Sequence, residues 1–197
     1  MENPVFFLKS LFEKSLLSSK PSFCVPPLLP GPVKGRNVVL GAGKASAAMA
    51  HALEEHWNGH LEGLVVTRYG HSVQCRRIEI TEAGHPIPDV AGMEASKRML
   101  ELAGSLDEDD QAICLISGGG SALLSLPAEG ISLEDKQAVT GSLLRCGATI
   151  HQINTVRKHL SAIKGGRLAE SCAPAALITL AISDVPRDDP AVIASGP

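Results

Sequence analysis

The feature that most constrains this chain is the stretch Leu115-Ile-Ser-Gly-Gly-Gly-Ser-Ala-Leu123. An apolar run, 112–116, leads into Ser117, three glycines and Ser121. This is the pattern of a buried strand that ends in a loop of bare backbone and restarts as a helix. Consecutive glycines are entropically expensive to order, so they belong where backbone comes close to something or takes positive φ. Unpaired N–H groups at a helix start favour a phosphate or a carboxylate. A tight strand-to-helix turn with no ligand fits the same residues. The balance is tipped by a second turn of the same kind upstream.

That second turn is Gly41-Ala-Gly43-Lys44, which follows a short apolar strand at 37–40. An Ala-rich helix at 45–57 and a strand at 61–67 complete a βαβ unit, whose strands are parallel. A third strand is expected at 77–82, then a rigid loop Gly84-His-Pro-Ile-Pro88 and a helix at 90–104 capped by Asp89. The acidic segment 107–110 reads as a solvated turn before the strand at 112–117. Beyond the triple glycine, Ser132 opens a helix that runs to Cys146 and is closed by Gly147. A cation-rich helix at 154–163, with Asn154 as a candidate cap, is interrupted by Gly165-Gly166 and followed by a short helix to Ser171. The apolar run 175–182 reads as a last strand and 188–197 as a loop. The fold class is therefore α/β: a Rossmann-like, open, mostly parallel sheet with helices on both faces in three layers. The unusual residues sit at the carboxyl ends of strands, where such sheets bind ligands. A last strand without its covering helix leaves one sheet face underdressed. This suggests the front part of a longer protein and favours self-association, with a homodimer as the simplest form.

Composition narrows the function. The 197 residues are 44% hydrophobic with a net charge of −3, which suits one globular α/β domain and argues against nucleic-acid or membrane-surface binding. Aromatic residues are 3%, too few for base-stacking platforms. The five scattered cysteines contain no C-x-x-C, which fits a reducing cytoplasm and gives neither a zinc site nor a disulfide framework. Residues 4–18 read as an amphipathic helix rather than a signal peptide, and no apolar stretch is long enough to span a bilayer. Five prolines in 19–36 make an extended connector. Residues 1–36 are thus expected to pack as a helix and connector on a domain comprising 37–197.

Several residues have chemical potential. The turn at Gly41 is an imperfect dinucleotide fingerprint, because Ser46 replaces the third glycine and Thr67-Arg68 stands where an acid is expected. It is not a Walker A loop. Lys44 at its mouth suits a transferring phosphoryl group or a carboxylate, although a solvated first-turn lysine looks the same. Asn154, Arg157 and Lys158 lie within one helical turn, either as an anion-neutralising group or as an ordinary surface face. Asp184, just past the last strand, suits Mg²⁺ or a base towards a hydroxyl, or simply a turn. His85 reads as a turn residue, and His51, His56 and His60 as surface.

Seven segments occur in one order: Gly41-Ala-Gly-Lys-Ala45, Gly84-His-Pro-Ile-Pro-Asp89, Ile116-Ser-Gly-Gly-Gly-Ser-Ala-Leu123, Ile153-Asn-Thr-Val-Arg-Lys158, Lys164-Gly-Gly166, Ile182-Ser-Asp184 and Asp189-Pro with Ile193-Ala-Ser-Gly-Pro197. Together they resemble the class II glycerate 2-kinases, the group with a so-called MOFRL C-terminal domain. Some bacterial members carry the label hydroxypyruvate reductase, from tartrate-utilisation operons. The resemblance covers nearly all of the chain from residue 37.

It implies ATP-dependent phosphorylation of the 2-hydroxyl of D-glycerate, Mg²⁺, and a site in the cleft between two α/β domains. On that basis Lys44, Arg157 and Asp184 are the catalytic candidates. Gly41, Gly43, Ser117, Gly118, Gly119, Gly120, Ser121, Asn154, Lys158 and Lys164 are the candidates for binding substrate or phosphate. Asp184 and Asp189 are the candidates for metal. The family's second domain is missing from this length, so little or no turnover is expected of residues 1–197 alone. Two alternatives remain: an NAD(P)-dependent hydroxypyruvate reductase, with Arg68 meeting a 2′-phosphate, and a non-catalytic ligand-binding domain.

Overall fold

The computed structural model describes residues 3–197. Five strands form one parallel sheet: β1 (Asn37–Ala42), β2 (Glu62–Arg68), β3 (Ile78–Ala83), β4 (Gln111–Ser117) and β5 (Ala176–Ile182), in the order β3-β2-β1-β4-β5. Every neighbouring pair is parallel. The chain moves outward from β1 to β3, then crosses back to β4, so the switch point lies between β1 and β4.

Alternation along the strands explains the layers. Val38, Leu40 and Ala42 point to one face, with Leu64, Val66, Ala112, Cys114 and Ile116. There they meet α4 (Val90–Ala103) through Ala95, Met99 and Ala103, and α8 (Arg167–Ser171) through Leu168. Val39, Val65, Ile113 and Leu115 point to the other face and meet Met49, Ala50 and Leu53 of α3 (Ser46–His56). The helices on both faces give three layers, as the pattern predicts. A parallel sheet covered on both faces needs apolar residues at successive positions, and β1 and β4 are buried at every residue.

The edges differ from the centre. The apolar side chains of β5 are only half-buried or exposed. The N-terminal helix α1 (Pro4–Ser18) is present over the expected range but buries none of its residues, and Phe6 and Phe12 are 69% and 65% exposed. The Pro-rich segment is not uniformly extended. It contains a one-turn helix α2 (Pro21–Cys24) and a 3-10 turn at Pro26–Leu28, because Pro is well suited to a first helical position. Val25, between them, is buried in the α3 layer.

After β4 comes a single helical turn, α5 (Gly120–Leu123), then α6 (Leu133–Arg145) and α7 (Ile150–His159). The expected helix at 154–163 starts four residues earlier, because its cap is Thr149, not Asn154. The Thr149 amide donates to Gln152 Oε1 at 2.9 Å, one half of a capping box. The closing segment also has more order than a loop. Ile193–Ser195 forms a 3-10 turn whose residues are buried.

Candidate active site

The strands all run one way, so their carboxyl ends share one edge of the domain, and the turns after β1 and β4 stand side by side at the switch point. They interlock. The Lys44 amide donates to the Gly118 carbonyl at 2.9 Å, the Ala45 amide donates to Ser117 Oγ at 3.0 Å, and the Ser46 and Ser117 hydroxyls are 3.1 Å apart. Gly43 has φ +149°, and a Cβ there would overlap Ser117 Oγ. Only glycine permits this approach.

This interlocking reassigns part of the expected phosphate cradle. The amides of Gly43, Lys44, Ala45 and Ser46 donate to the Val66 carbonyl, the Gly118 carbonyl, Ser117 Oγ and the Gly43 carbonyl respectively. Gly41 lies inside β1, and Ser117 is 2% exposed with its hydroxyl engaged in bracing. The first turn therefore offers no free backbone donor and presents only the exposed side chain of Lys44. By contrast, the amides of Gly119, Gly120 and Ser121 donate to no partner among the described residues. The expected helix after them is the one turn of α5.

Around this turn is a cleft of about 400 Å³. One wall is the His85–Pro86 loop after β3, and a second is Gly119, Ser121 and Ala122. Asn154 and Arg157 of α7 face them, and Asp184, Val185 and Pro186 after β5 close the side. Gly119 has φ +89°, and a Cβ on it would come within 2.9 Å of His85 Nε2 and 3.1 Å of Lys44 Cε. A Cβ on Gly118 would lie 2.8 Å from the Asp184 carboxyl carbon. Lys44, His85 and Asp184 thus surround the triple glycine from three different loops.

The electrostatics are one-sided. Asn154 Oδ1 is buried without a hydrogen-bond partner among the described residues. Arg157 makes no ion pair with any described residue, and burial pulls its guanidinium below the ordinary arginine range. Burial first, then the charges of Lys44, Arg68 and Arg157, hold the His85 imidazole below its usual value, so it is neutral at pH 7. Among the described residues Asp184 is the one carboxylate in the cleft lining.

Not every expected residue converges here. Lys158 turns away, donates to the Ala191 carbonyl, and lines a separate groove with Gly165 and Gly166. Asp189 Oδ1 accepts from the Ala191 amide at 2.9 Å, outside the cleft lining. Lys164 is 1% exposed, donates to the Leu124 carbonyl, and lies behind the cleft wall. Among the described residues no cluster of three or more His, Cys, Asp or Glu side chains could hold a metal alone. Asp184 by itself matches the way Mg²⁺ is commonly held, by one or two carboxylates plus substrate phosphates.

Three contributors were not marked in the sequence. His85 looked like a turn residue, and its GHPIP setting gave no hint that the loop folds over the glycines. Ser195 meets Ser121, hydroxyl to hydroxyl, at 2.7 Å across 74 residues. Lys136 is 6% exposed and donates to the Ser125 and Leu126 carbonyls at 3.0 and 3.1 Å. A signal existed for Lys136, since it stands three residues after the buried Leu133, where an amphipathic helix expects an apolar residue.

Comparison with known proteins places this arrangement. Residues 7–197 match the model of a domain family of unknown function, DUF4147. The chain is 53% identical to a putative hydroxypyruvate reductase of Agrobacterium vitis, over 96% of its own length and 44% of that protein. It is 46% identical to the D-glycerate 2-kinase of Thermotoga maritima, over 95% of its length and 45% of that protein. The crystal structure of the Thermotoga maritima glycerate kinase superposes with a TM-score of 0.85 at 45% identity, covering 93% of this chain and 45% of that one. The chain spans about half the length of the curated relatives it matches. Among the described residues no helix is long and apolar enough to cross a membrane. The sheet order, the paired glycine turns and the match over 7–197 agree: this chain belongs to the DUF4147 family, the N-terminal domain of the glycerate 2-kinase family.

Proposed function

We propose that this chain contributes the N-terminal domain, residues 37–197, of a cytoplasmic kinase that uses ATP and Mg²⁺ to phosphorylate the 2-hydroxyl of D-glycerate. The helix α1 and the Pro-rich segment before residue 37 are accessory to it. The observation that carries the reading is the convergence of Lys44, Asp184 and unpaired Arg157 on the triple-glycine turn. A phosphoryl group in flight spreads charge over its oxygens, and catalysis depends on cations and donors fixed around it. On this reading Lys44 takes that role, supported by its Cε lying beside Gly119, and the amides of Gly119 to Ser121, unpaired among the described residues, supplement it. Asp184 orients the acceptor hydroxyl, and its carboxylate would also hold Mg²⁺, which supplies charge neutralisation between the phosphates when bound. Arg157 and Asn154 face the anionic substrate.

The same positioning argument predicts that a chain spanning about half the length of its relatives turns over slowly alone. The hydroxypyruvate reductase reading is favoured by the name of the Agrobacterium vitis relative and by the buried Nε of Arg68, which has no partner among the described residues. It is weakened by the occupied amides of the first glycine turn, which leave no cradle for a pyrophosphate.

The test is ADP release with D-glycerate, ATP and Mg²⁺, on this chain and on the full product of its gene where that is longer. Glycerate-dependent release that Lys44→Ala lowers about a hundredfold or more supports the kinase. NAD(P)H oxidation with hydroxypyruvate and no ADP release overturns it.

A further inference from the structure

Behind the cleft wall lies a second, much smaller cavity of about 10 Å³, room for a single solvent-sized atom. Lys136 of α6, Arg157 of α7 and Lys164 all border it, with Ser121, Ser125 and Thr140. Among the described residues no carboxylate lines it, and none of the three cations forms an ion pair. Lys136 and Lys164 are 6% and 1% exposed, and their ammonium groups are held only by the carbonyls of Ser125, Leu126 and Leu124. Lys136 uses two of its three donors on these, and Lys164 uses one. Arg157 makes no side-chain hydrogen bond to the described residues, which leaves the fork of its guanidinium open. Unpaired charge in a protein interior is costly, and it persists where a counter-charge arrives. Ser121 and Arg157 belong to both cavities, so they form the partition between the cleft and the buried pair of lysines.

We infer that this partition is a carboxylate seat: an organic acid entering the cleft is gripped at its carboxylate by Arg157 and Ser121, with one oxygen reaching the donors of Lys136 and Lys164 behind them. Only the identity of the acid, D-glycerate, rests on the kinase reading. The seat selects acids over the corresponding neutral alcohols, because only a carboxylate brings the counter-charge that Arg157 lacks and that lets the buried lysines take up their protons. Burial lowers both lysines in its absence, to about 8 for Lys136 and well below the ordinary value for Lys164, with the neighbouring cations adding to the effect. An arriving carboxylate reverses this, so binding draws protons onto the site.

The experiment is calorimetry and thermal unfolding of the chain near pH 8 with D-glycerate, and with glycerol as the uncharged counterpart, at matched chloride. D-Glycerate is expected to raise the unfolding midpoint while glycerol does not, with heats that change with the ionisation enthalpy of the buffer. Lys136→Met and Arg157→Gln are each expected to weaken D-glycerate about tenfold or more, and Arg157→Lys to recover only part of the loss, since an ammonium keeps the charge but not the fork. In turnover by the full gene product, Lys136→Met raises KM and leaves kcat within a few-fold, since the seat holds ground and transition states alike. Equal protection by glycerol, equal protection by chloride alone, or an affinity in both Lys136→Met and Arg157→Gln within twofold of the parent overturns the seat. Glycerate binding that depends on Lys136 without any ADP release upholds the seat while the kinase reading falls. ADP release with an unchanged KM in both Lys136→Met and Arg157→Gln does the reverse.

Discussion

Replacing Gly43 by alanine adds one methyl group at the point where the two glycine turns interlock. The new Cβ would overlap Ser117 Oγ and come within 2.6 Å of the Ser117 carbonyl oxygen and 2.8 Å of its carbonyl carbon. Those are main-chain atoms at the end of a fully buried strand, so no flexible side chain can move aside. Three costs follow. A non-glycine residue at φ +149° is strained by about 1–3 kcal/mol. Forced separation of packed backbone costs about 1–3 kcal/mol more. Losing the Lys44–Gly118 and Ala45–Ser117 hydrogen bonds costs about 1 kcal/mol each. Allowing for partial relief of one by another, the total is about 3–6 kcal/mol, a large part of a typical domain's stability. Urea unfolding of Gly43→Ala beside Gly31→Ala measures it. A methyl group on Gly31 would meet no atom within 4 Å, and its φ lies outside the left-handed region, so the same chemical change there is expected to stay within about 1 kcal/mol. A midpoint for Gly43→Ala that matches Gly31→Ala, at unchanged m, would refute the view that the turns are locked together through this glycine.

The remaining expectations concern pH and one cap. Lys136 is depressed to about 8 by burial and by Arg157, so its unfolded state binds more protons between that value and 10.5. Stability should therefore rise with pH across this window by up to about 3 kcal/mol, and Lys136→Met should flatten the rise. Glu54 behaves in the opposite sense. Burial would raise it, but the amides of Arg76 and Arg77, donating at 2.7 and 2.6 Å, and both guanidinium charges outweigh burial and lower it. Its contribution is present above pH 4.5 and lost as the pH falls through its depressed value, so Glu54→Gln should lower stability at neutral pH and weaken the acid dependence, read from urea midpoints. Thr149→Ala removes the cap of α7 and should cost about 1 kcal/mol, with hydrogen exchange fastest in the first turn of that helix. An unchanged exchange pattern would mean that tertiary packing, not the cap, sets where α7 begins.

Much of the architecture was legible in the residues. The alternation of apolar runs with helical stretches, and the glycines at the ends of two runs, determine a parallel sheet with its unusual residues at one edge. Those signals are local, because strand burial and turn chemistry are written in consecutive positions. Lys44, the triple glycine, Arg157 and Asp184 were legible for the same reason, each standing at an element end. The sequence could not say which backbone donors remain free. Whether the amides after Gly41 face a ligand or a neighbouring strand depends on how closely β1 and β4 pair, and the overlap of Gly43 with Ser117 settles that only in three dimensions. Lys158 and Arg157 are adjacent in sequence, yet one bonds the Ala191 carbonyl outside the cleft and the other lines it, because a helix turns about a hundred degrees per residue. Ser195 and His85 reach the site across long stretches of chain and carry no local mark of it, while Lys136 is marked only as a polar residue at an apolar position of its helix. Sequence decided the sheet and its turns through periodicity. Tertiary packing decided the site, because buried charge acquires its meaning only from what the fold brings, or fails to bring, beside it.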